Sequence, residues 1–200
     1  SVQVDQQATF GPATSGQERL WLLNQVIPER ATYHIHLVLE LEPLDPTLLA
    51  QAWADIVHRH EALRTTLHAE TGGLIQRVHP APLEVLVEDS APSDPERLLE
   101  EARRPFDLAS DAPIRLRYYS DGVLSMTAHH IAVDARSLEI ILGELLQALQ
   151  ARSHGEIPRF APLSPTPILL ATAERTRRKR REDHEDRAFW KSYLRDLPPL

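Results

Sequence analysis

Two rhythms of apolar residues run along the chain. In YHIHLVLELE, residues 33–42, Ile35, Leu37, Leu39 and Leu41 share one face, and His34, His36, Val38 and Glu40 share the other. That period of two predicts a half-buried strand. ALRTTLHAETGGLIQRVHP, residues 62–80, reads as two strands joined at Gly72-Gly73, and IRLRYYSDGVLSMTAHH, residues 114–130, as a hairpin turned on Asp121-Gly122. LEVLVED, residues 83–89, is a further strand.

Helical spacing appears between these runs. SGQERLWLLNQVI opens with Ser15 as the expected N-cap and closes at Pro28. DPTLLAQAWADIVHRH places Asp45 before Pro46, a cap followed by a first-turn proline, and Leu49, Ala52, Trp53 and Ile56 form its apolar face. SDPERLLEEARR, residues 93–104, is a capped helix, and SLEIILGELLQALQ buries Leu138, Ile141, Leu142, Leu145 and Leu149. After the proline-rich IPRFAPLSPTP, one last helical segment ends near Leu197, stopped by Pro198 and Pro199. Strands and helices alternate without a repeat, which predicts an α/β fold: a mixed sheet flanked by helices.

Composition narrows the function classes. With 42% hydrophobic and 26% charged residues, the 200-residue chain can bury a sizeable core. Its net charge of -7 opposes non-specific attraction to nucleic acid or an anionic membrane. The absence of cysteine excludes thiol nucleophiles and thiolate metal sites. No run of 18 apolar residues and no signal-peptide pattern is present, so a cytoplasmic setting is expected. The basic run ERTRRKRRED, residues 174–183, is flanked by acids and holds no aromatic residue, which reads as a solvated helix face rather than a nucleic-acid patch.

TAHHIAVDARS, residues 127–137, carries the candidate chemistry. On a strand over 123–130, His130 falls on the face of Leu124, Met126 and Ala128, while His129 falls with Ser125 and Thr127. The two rings point apart, which opposes a shared metal ion. His34 and His36 do share a face, but no third ligand accompanies them, so they read as polar residues on a wetter strand face and no metal is expected. An apolar setting would keep His130 neutral, as a general base requires. Read from these residues alone, His130 is either such a base or an ordinary strand-end histidine. Asp134 either caps the following helix or pairs with a buried arginine.

Further stretches bring a resemblance. TSGQERLWLL, residues 14–23, resembles the first core motif of the condensation domains of nonribosomal peptide synthetases, through Gln17, Arg19, Leu20, Trp21 and Leu23. RHEALRTTL is similar to the second motif, keeping Arg59, His60, Glu61, Leu63, Arg64 and Thr65. PFDLASDAPIRLRYY, HHIAVD and FWKSYL follow in family order, from Pro105, His129 and Phe189. The resemblance implies the N-terminal lobe of a chloramphenicol-acetyltransferase-like fold, residues 1–200 forming about half of a complete domain whose C-terminal half is absent. It implies amide formation between a donor thioester and an acceptor amine, both carried on phosphopantetheine arms of carrier proteins. No cofactor is then bound directly. The expected partners are donor and acceptor peptidyl carrier proteins, the C-terminal half and adjoining synthetase domains, with no nucleic acid and no membrane.

By position, His130 matches the family's catalytic histidine. His129 and Asp134 are implied to be structural, with Arg59 and Arg64 as supporting partners. The family has glycine after the aspartate and this chain has Ala135, so Ala135 and Arg136 are expected to line and narrow the donor side of the tunnel. The family's tyrosine-aspartate motif is not recognisable in TPILLAT, residues 166–172. These departures keep an alternative open: a non-catalytic platform recruiting a tailoring enzyme or carrier proteins. An epimerization domain is disfavoured because Leu138 follows Ser137 where that family has tryptophan. The resemblance adds a second reading of the basic run at 174–183, a contact for an acidic carrier protein, beside the solvated helix face.

Overall fold

The computed structural model describes residues 8–27, 30–83, 87–163, 165–179 and 182–195. Two sheets organise it. β2 (His34–Glu40), β5 (Val87–Asp89), β6 (Ile114–Tyr119) and β7 (Val123–His129) form a four-stranded sheet in the order β2-β7-β6-β5. It is mixed, as expected: β5 runs parallel to β6 and the other pairs are antiparallel. β1 (Thr9–Pro12), β3 (Thr65–Glu70) and β4 (Gly73–Val78) form a second sheet, β1-β4-β3, which the apolar pattern did not announce. β1 is too short and too proline-flanked to show alternation.

α2 (Pro46–Arg59) and α4 (Ala135–Ser153) pack together on one face of the four-stranded sheet. Asp45 caps α2 through the Thr47 amide at 2.8 Å, and Pro46 occupies the first turn, where its missing donor costs nothing. Leu49, Ala52, Trp53 and Ile56 are buried as their spacing requires, against Ile35, Leu37 and Leu39 of β2 and Leu124, Met126 and Ala128 of β7. On α4, Leu138, Ile141 and Leu145 are buried while Leu142 and Leu149 lie at the edge of the same core. A second, smaller cluster joins Ala13, Leu67, Leu74, Phe106, Leu108 and Ile131.

Both predicted hairpins form, the first one residue earlier than expected: its turn is Thr71-Gly72, and Gly73 (φ 124°) opens β4 opposite Glu70, while Gly122 (φ 86°) lies in the second turn. A side chain at Gly122 would also come within 2.9 Å of the Leu41 carbonyl oxygen.

α1 (Ser15–Val26) is capped by Thr14, not Ser15. The Thr14 hydroxyl accepts from the Gln17 amide while the Gln17 side chain accepts from the Thr14 amide, a reciprocal box that Ser15 cannot make one residue later. α3 (Pro95–Arg103) forms as the predicted capped helix, and its cap is Asp94. The described residues of the last segment are helical, as α5 (Pro167–Lys179) and α6 (Glu182–Tyr193). Pro28, residues 84–86 of the LEVLVED strand, Arg180 and Arg181 of the basic run, and the double proline at 198–199 lie outside the described residues. The start of the basic run is not a free solvated face: Arg175 pairs with Glu18 at 2.8 Å, and Glu174 accepts from the Ser15 amide at 3.1 Å. α5 also seats on β1, where a side chain at Gly11 would fall 2.5 Å from Ile168 Cγ2.

Candidate functional site

β7 leaves the sheet at its histidines, and they part there. His129 ends the strand and is fully buried, while His130 begins a turn and is exposed. The rings do point apart, but their environments are the reverse of the expectation. Both faces of β7 are covered, the apolar one by α2 and α4 and the polar one by α3. At residue 130 the chain has turned out of the ladder, so the alternation that placed His130 beside Ala128 no longer applies: the Ala132 amide bonds the His129 carbonyl at 3.1 Å and closes the turn.

His129 lies among Tyr33, His34 and Phe106, its ring centroid 5.7 Å from that of His34. Burial pushes its pKa down to about 4, with smaller contributions from the fields of His34 and His130. The neutral ring accepts the Ile131 N–H at Nδ1, 3.0 Å away, so Nε2 carries the hydrogen. His34 and His36 are half-buried on a face that is wetter towards its far end, where Val38 and Glu40 are exposed. His34 Nδ1 bonds the Ala102 carbonyl of α3 at 2.9 Å, and His36 Nδ1 the Thr127 hydroxyl at 2.9 Å. Burial lowers both pKa values, and each Nε2 is buried without a hydrogen-bond partner among the described residues. No group of three metal-ligating side chains occurs among those residues.

His130 is held at two points. Its amide donates to the Tyr33 carbonyl at 2.8 Å, and its Nδ1 lies 2.9 Å from the Val133 carbonyl oxygen. A carbonyl only accepts, so Nδ1 carries the proton and Nε2 of the neutral ring keeps a free lone pair. The ring is therefore oriented, solvent-facing and able to take a proton.

Asp134 caps α4, the first of the two alternatives. Its carboxylate accepts from the Ser137 hydroxyl and amide, each at 2.7 Å, and these bonds lower its pKa. The supposed arginine partners are engaged elsewhere. Arg59 pairs with Glu144 at 3.0 Å and lies over Phe160, and Arg64 bonds the carbonyls of His79 and His58. Asp134→Ala is expected to lose about 1 kcal/mol, the worth of a cap rather than of a buried ion pair. Chemical denaturation measures this; a loss above about 3 kcal/mol would point to a buried charge partner instead.

Ala135 and Arg136 open α4 and are exposed, with Arg136 paired to Glu139 at 2.7 Å. Ala135 sits in helical backbone, and no non-glycine residue has positive φ among those described, so the conformation does not call for glycine here. Beside them a cleft runs between α4 and the 161–167 segment. Ala132, Val133, Ser137 and Ile140 form one wall, with Pro162 and Leu163 opposite. Glu144 lies in it, bonded by Arg59 and by His60 Nε2 at 2.5 Å. Sequence reasoning missed Glu144, whose partners lie some 85 residues away, and Asn24. Asn24 had a signal: it stands on the helical face of Leu20 and Trp21, an amide where an apolar residue is due.

A family model described as Condensation domain matches residues 7–200. The chain is 34% identical over 200 residues to the probable non-canonical nonribosomal peptide synthetase (NRPS) CymA of Salinispora arenicola (strain CNS-205). It is 33% identical over 201 residues to the dimodular nonribosomal peptide synthase of Bacillus subtilis (strain 168). Both alignments take in 94% of this chain, but it spans only 3% and 8% of those proteins. Among solved structures it resembles the complex of the X-domain and OxyB from teicoplanin biosynthesis, with a TM-score of 0.81, 31% identity and coverage of 99% of this chain and 46% of that one. The first condensation domain of the calcium-dependent antibiotic synthetase, in complex with a substrate analogue, gives a TM-score of 0.80 at 20% identity, covering 96% and 49%, a likeness of fold alone.

Proposed function

This chain belongs to the condensation-domain family, and from that premise we propose that it is the His130-bearing lobe of an amide-forming domain in a nonribosomal peptide synthetase. It spans about half of the solved chains it resembles. A second lobe faces His130 and closes the tunnel, so residues 1–200 supply one wall of the site. Donor and acceptor arrive as thioesters on the phosphopantetheine arms of two carrier proteins, and no cofactor takes part. The setting is cytoplasmic; in the fold, no described helix is long and apolar enough to cross a membrane.

The observation that carries this reading is the His130 ring, with Nδ1 tied to the Val133 carbonyl and Nε2 free. The acceptor amine attacks the thioester carbonyl carbon, forming the C–N bond. Nε2 takes the proton released from nitrogen. The tetrahedral intermediate collapses, the C–S bond breaks and the thiolate leaves, receiving that proton. Val133 holds the ring in one orientation throughout, and its carbonyl favours the transient imidazolium.

A second reading has a specific observation in its favour. The likeness to the X-domain in its complex with OxyB is at 31% identity, against 20% for the condensation domain solved with a substrate analogue. On this reading the lobe is a platform that recruits a tailoring enzyme. One experiment separates the two. Loaded donor and acceptor carriers are mixed with the chain alone, and with the chain plus its second half on the same or a separate polypeptide. Amide product by mass spectrometry is expected only with both halves, because an open lobe neither excludes water nor aligns two arms. No product with both halves, together with retention of a tailoring enzyme, would establish the platform instead.

A further inference from the structure

α1 presents an anomaly. Leu20 and Trp21 are only partly buried, and the one buried residue of the helix is an asparagine, Asn24, 6% exposed. A buried amide costs free energy unless it is bonded. A leucine would fill this place at lower cost, so the amide is doing something an apolar side chain cannot.

Its partner is the His129 ring. Asn24 Oδ1 lies 3.5 Å from His129 Nε2, at the long end of hydrogen-bonding range. The direction of the bond follows from the other side of the ring. The Ile131 amide can only donate, so Nδ1 must accept and Nε2 must carry the hydrogen. Asn24 is then the acceptor, which also fixes which end of its amide faces the ring. Asn24 and Ile131 thus select the same tautomer from opposite sides. Without Asn24, the Nε2–H is buried without an acceptor. The tautomer with hydrogen on Nδ1 gains ground, and that hydrogen would point at the Ile131 N–H.

Ile131 follows His130 in the turn that presents the free Nε2, and the same turn is closed by the Ala132 amide on the His129 carbonyl. We propose that Asn24 is a positioning residue for His130: through the His129 ring it holds the turn from which the His130 imidazole is presented. The proposal rests on the reading of His130 given above only for its consequence in rate. The ring geometry stands by itself.

The test uses Asn24→Leu, which keeps volume and removes the acceptor, and Asn24→Asp, which keeps an acceptor. Imidazole nitrogen NMR on the 200-residue chain reports the tautomers of His129 and His130. Asn24→Leu is expected to shift His129 away from its Nε2–H form, speed hydrogen exchange at the Ile131 amide and move the His130 ring signals. Asn24→Asp retains all three and raises the pH at which His129 titrates, since a carboxylate favours the protonated ring. In the two-lobe domain, Asn24→Leu should lower kcat about tenfold or more with KM unchanged, and Asn24→Asp should restore it. A folded Asn24→Leu chain with His129 and His130 signals like the parent's overturns the proposal. So does a changed ring spectrum with an unchanged kcat. A parent domain that makes no amide refutes the catalytic reading of His130, and the ring signals then decide the role of Asn24 on their own.

Discussion

His130→Ala is expected to cut amide formation in the two-lobe domain by about 10²–10⁴-fold, the usual worth of a positioned general base. Its melting temperature should stay close to the parent's. The ring is exposed, and among the described residues its side chain bonds the Val133 carbonyl, which can turn to water. His129→Ala is expected to do the reverse. That ring is fully buried and accepts the Ile131 amide, so its loss strands a buried donor and opens a cavity, costing about 1–3 kcal/mol for the donor alone. Product assays and denaturation on the two variants make a paired measurement. A fully active His130→Ala domain would move the chemistry elsewhere, and the platform reading would gain.

Acid is expected to loosen the fold before its carboxylates titrate. His129 has a folded pKa of about 4, against about 6.5 in the unfolded chain, and burial also depresses His34 and His36. Below the unfolded value the unfolded chain takes up protons that the folded chain refuses. Stability is therefore full above about pH 6.5 and falls as the pH drops towards 4. His129 alone contributes about 3 kcal/mol to that fall, and the other two act in the same direction. The charges facing this layer are Arg115 and Glu101; the first disfavours protonation of His34, the second favours that of His36. Denaturation midpoints between pH 7 and about 4.5 measure the effect. A flat profile would mean that the layer under α3 admits water and that the rings titrate normally.

The elements with a clean period were legible. α2 and α4 appear where Asp45 with Pro46, and the spacing of Leu138, Ile141 and Leu145, placed them. Both glycine-turned hairpins formed, the first with its turn at Thr71-Gly72, one residue before the expected place. β1 was missed because four residues cannot display an alternation, and its pairing with β4 is a tertiary fact. The Ser15 cap was off by one because a lone hydroxyl is ambiguous; Gln17 three residues after Thr14 was the sharper signal. At the site, alternation told correctly that the histidines diverge, but it could not say where the strand stops. Ending it at His129 instead of His130 exchanged the buried ring for the exposed one. Asp134 was legible as either a cap or an arginine partner, and it is the cap. Arg59 and Arg64 were not legible, since their partners, Glu144 and the His79 carbonyl, are set by how α2 lies on α4 and by where β4 ends.

The pairing of β2 with β7 has a consequence for synthesis. Among the described residues β2 is an edge strand, and its partner lies far downstream: Glu40 faces Val123 and His34 faces His129. At about 5–20 residues per second, β2 leaves the ribosome roughly 5–20 s before β7 exists. During that interval Ile35, Leu37 and Leu39 form an apolar strip with unpaired backbone, the kind of segment that adds to another chain's sheet. Three of the four alternate positions hold His34, His36 and Glu40, with Val38 between them, and those polar groups discourage such pairing while the strand waits. The same histidines that later lie half-buried beside α3 are, in the nascent chain, hydrated guards of an open edge.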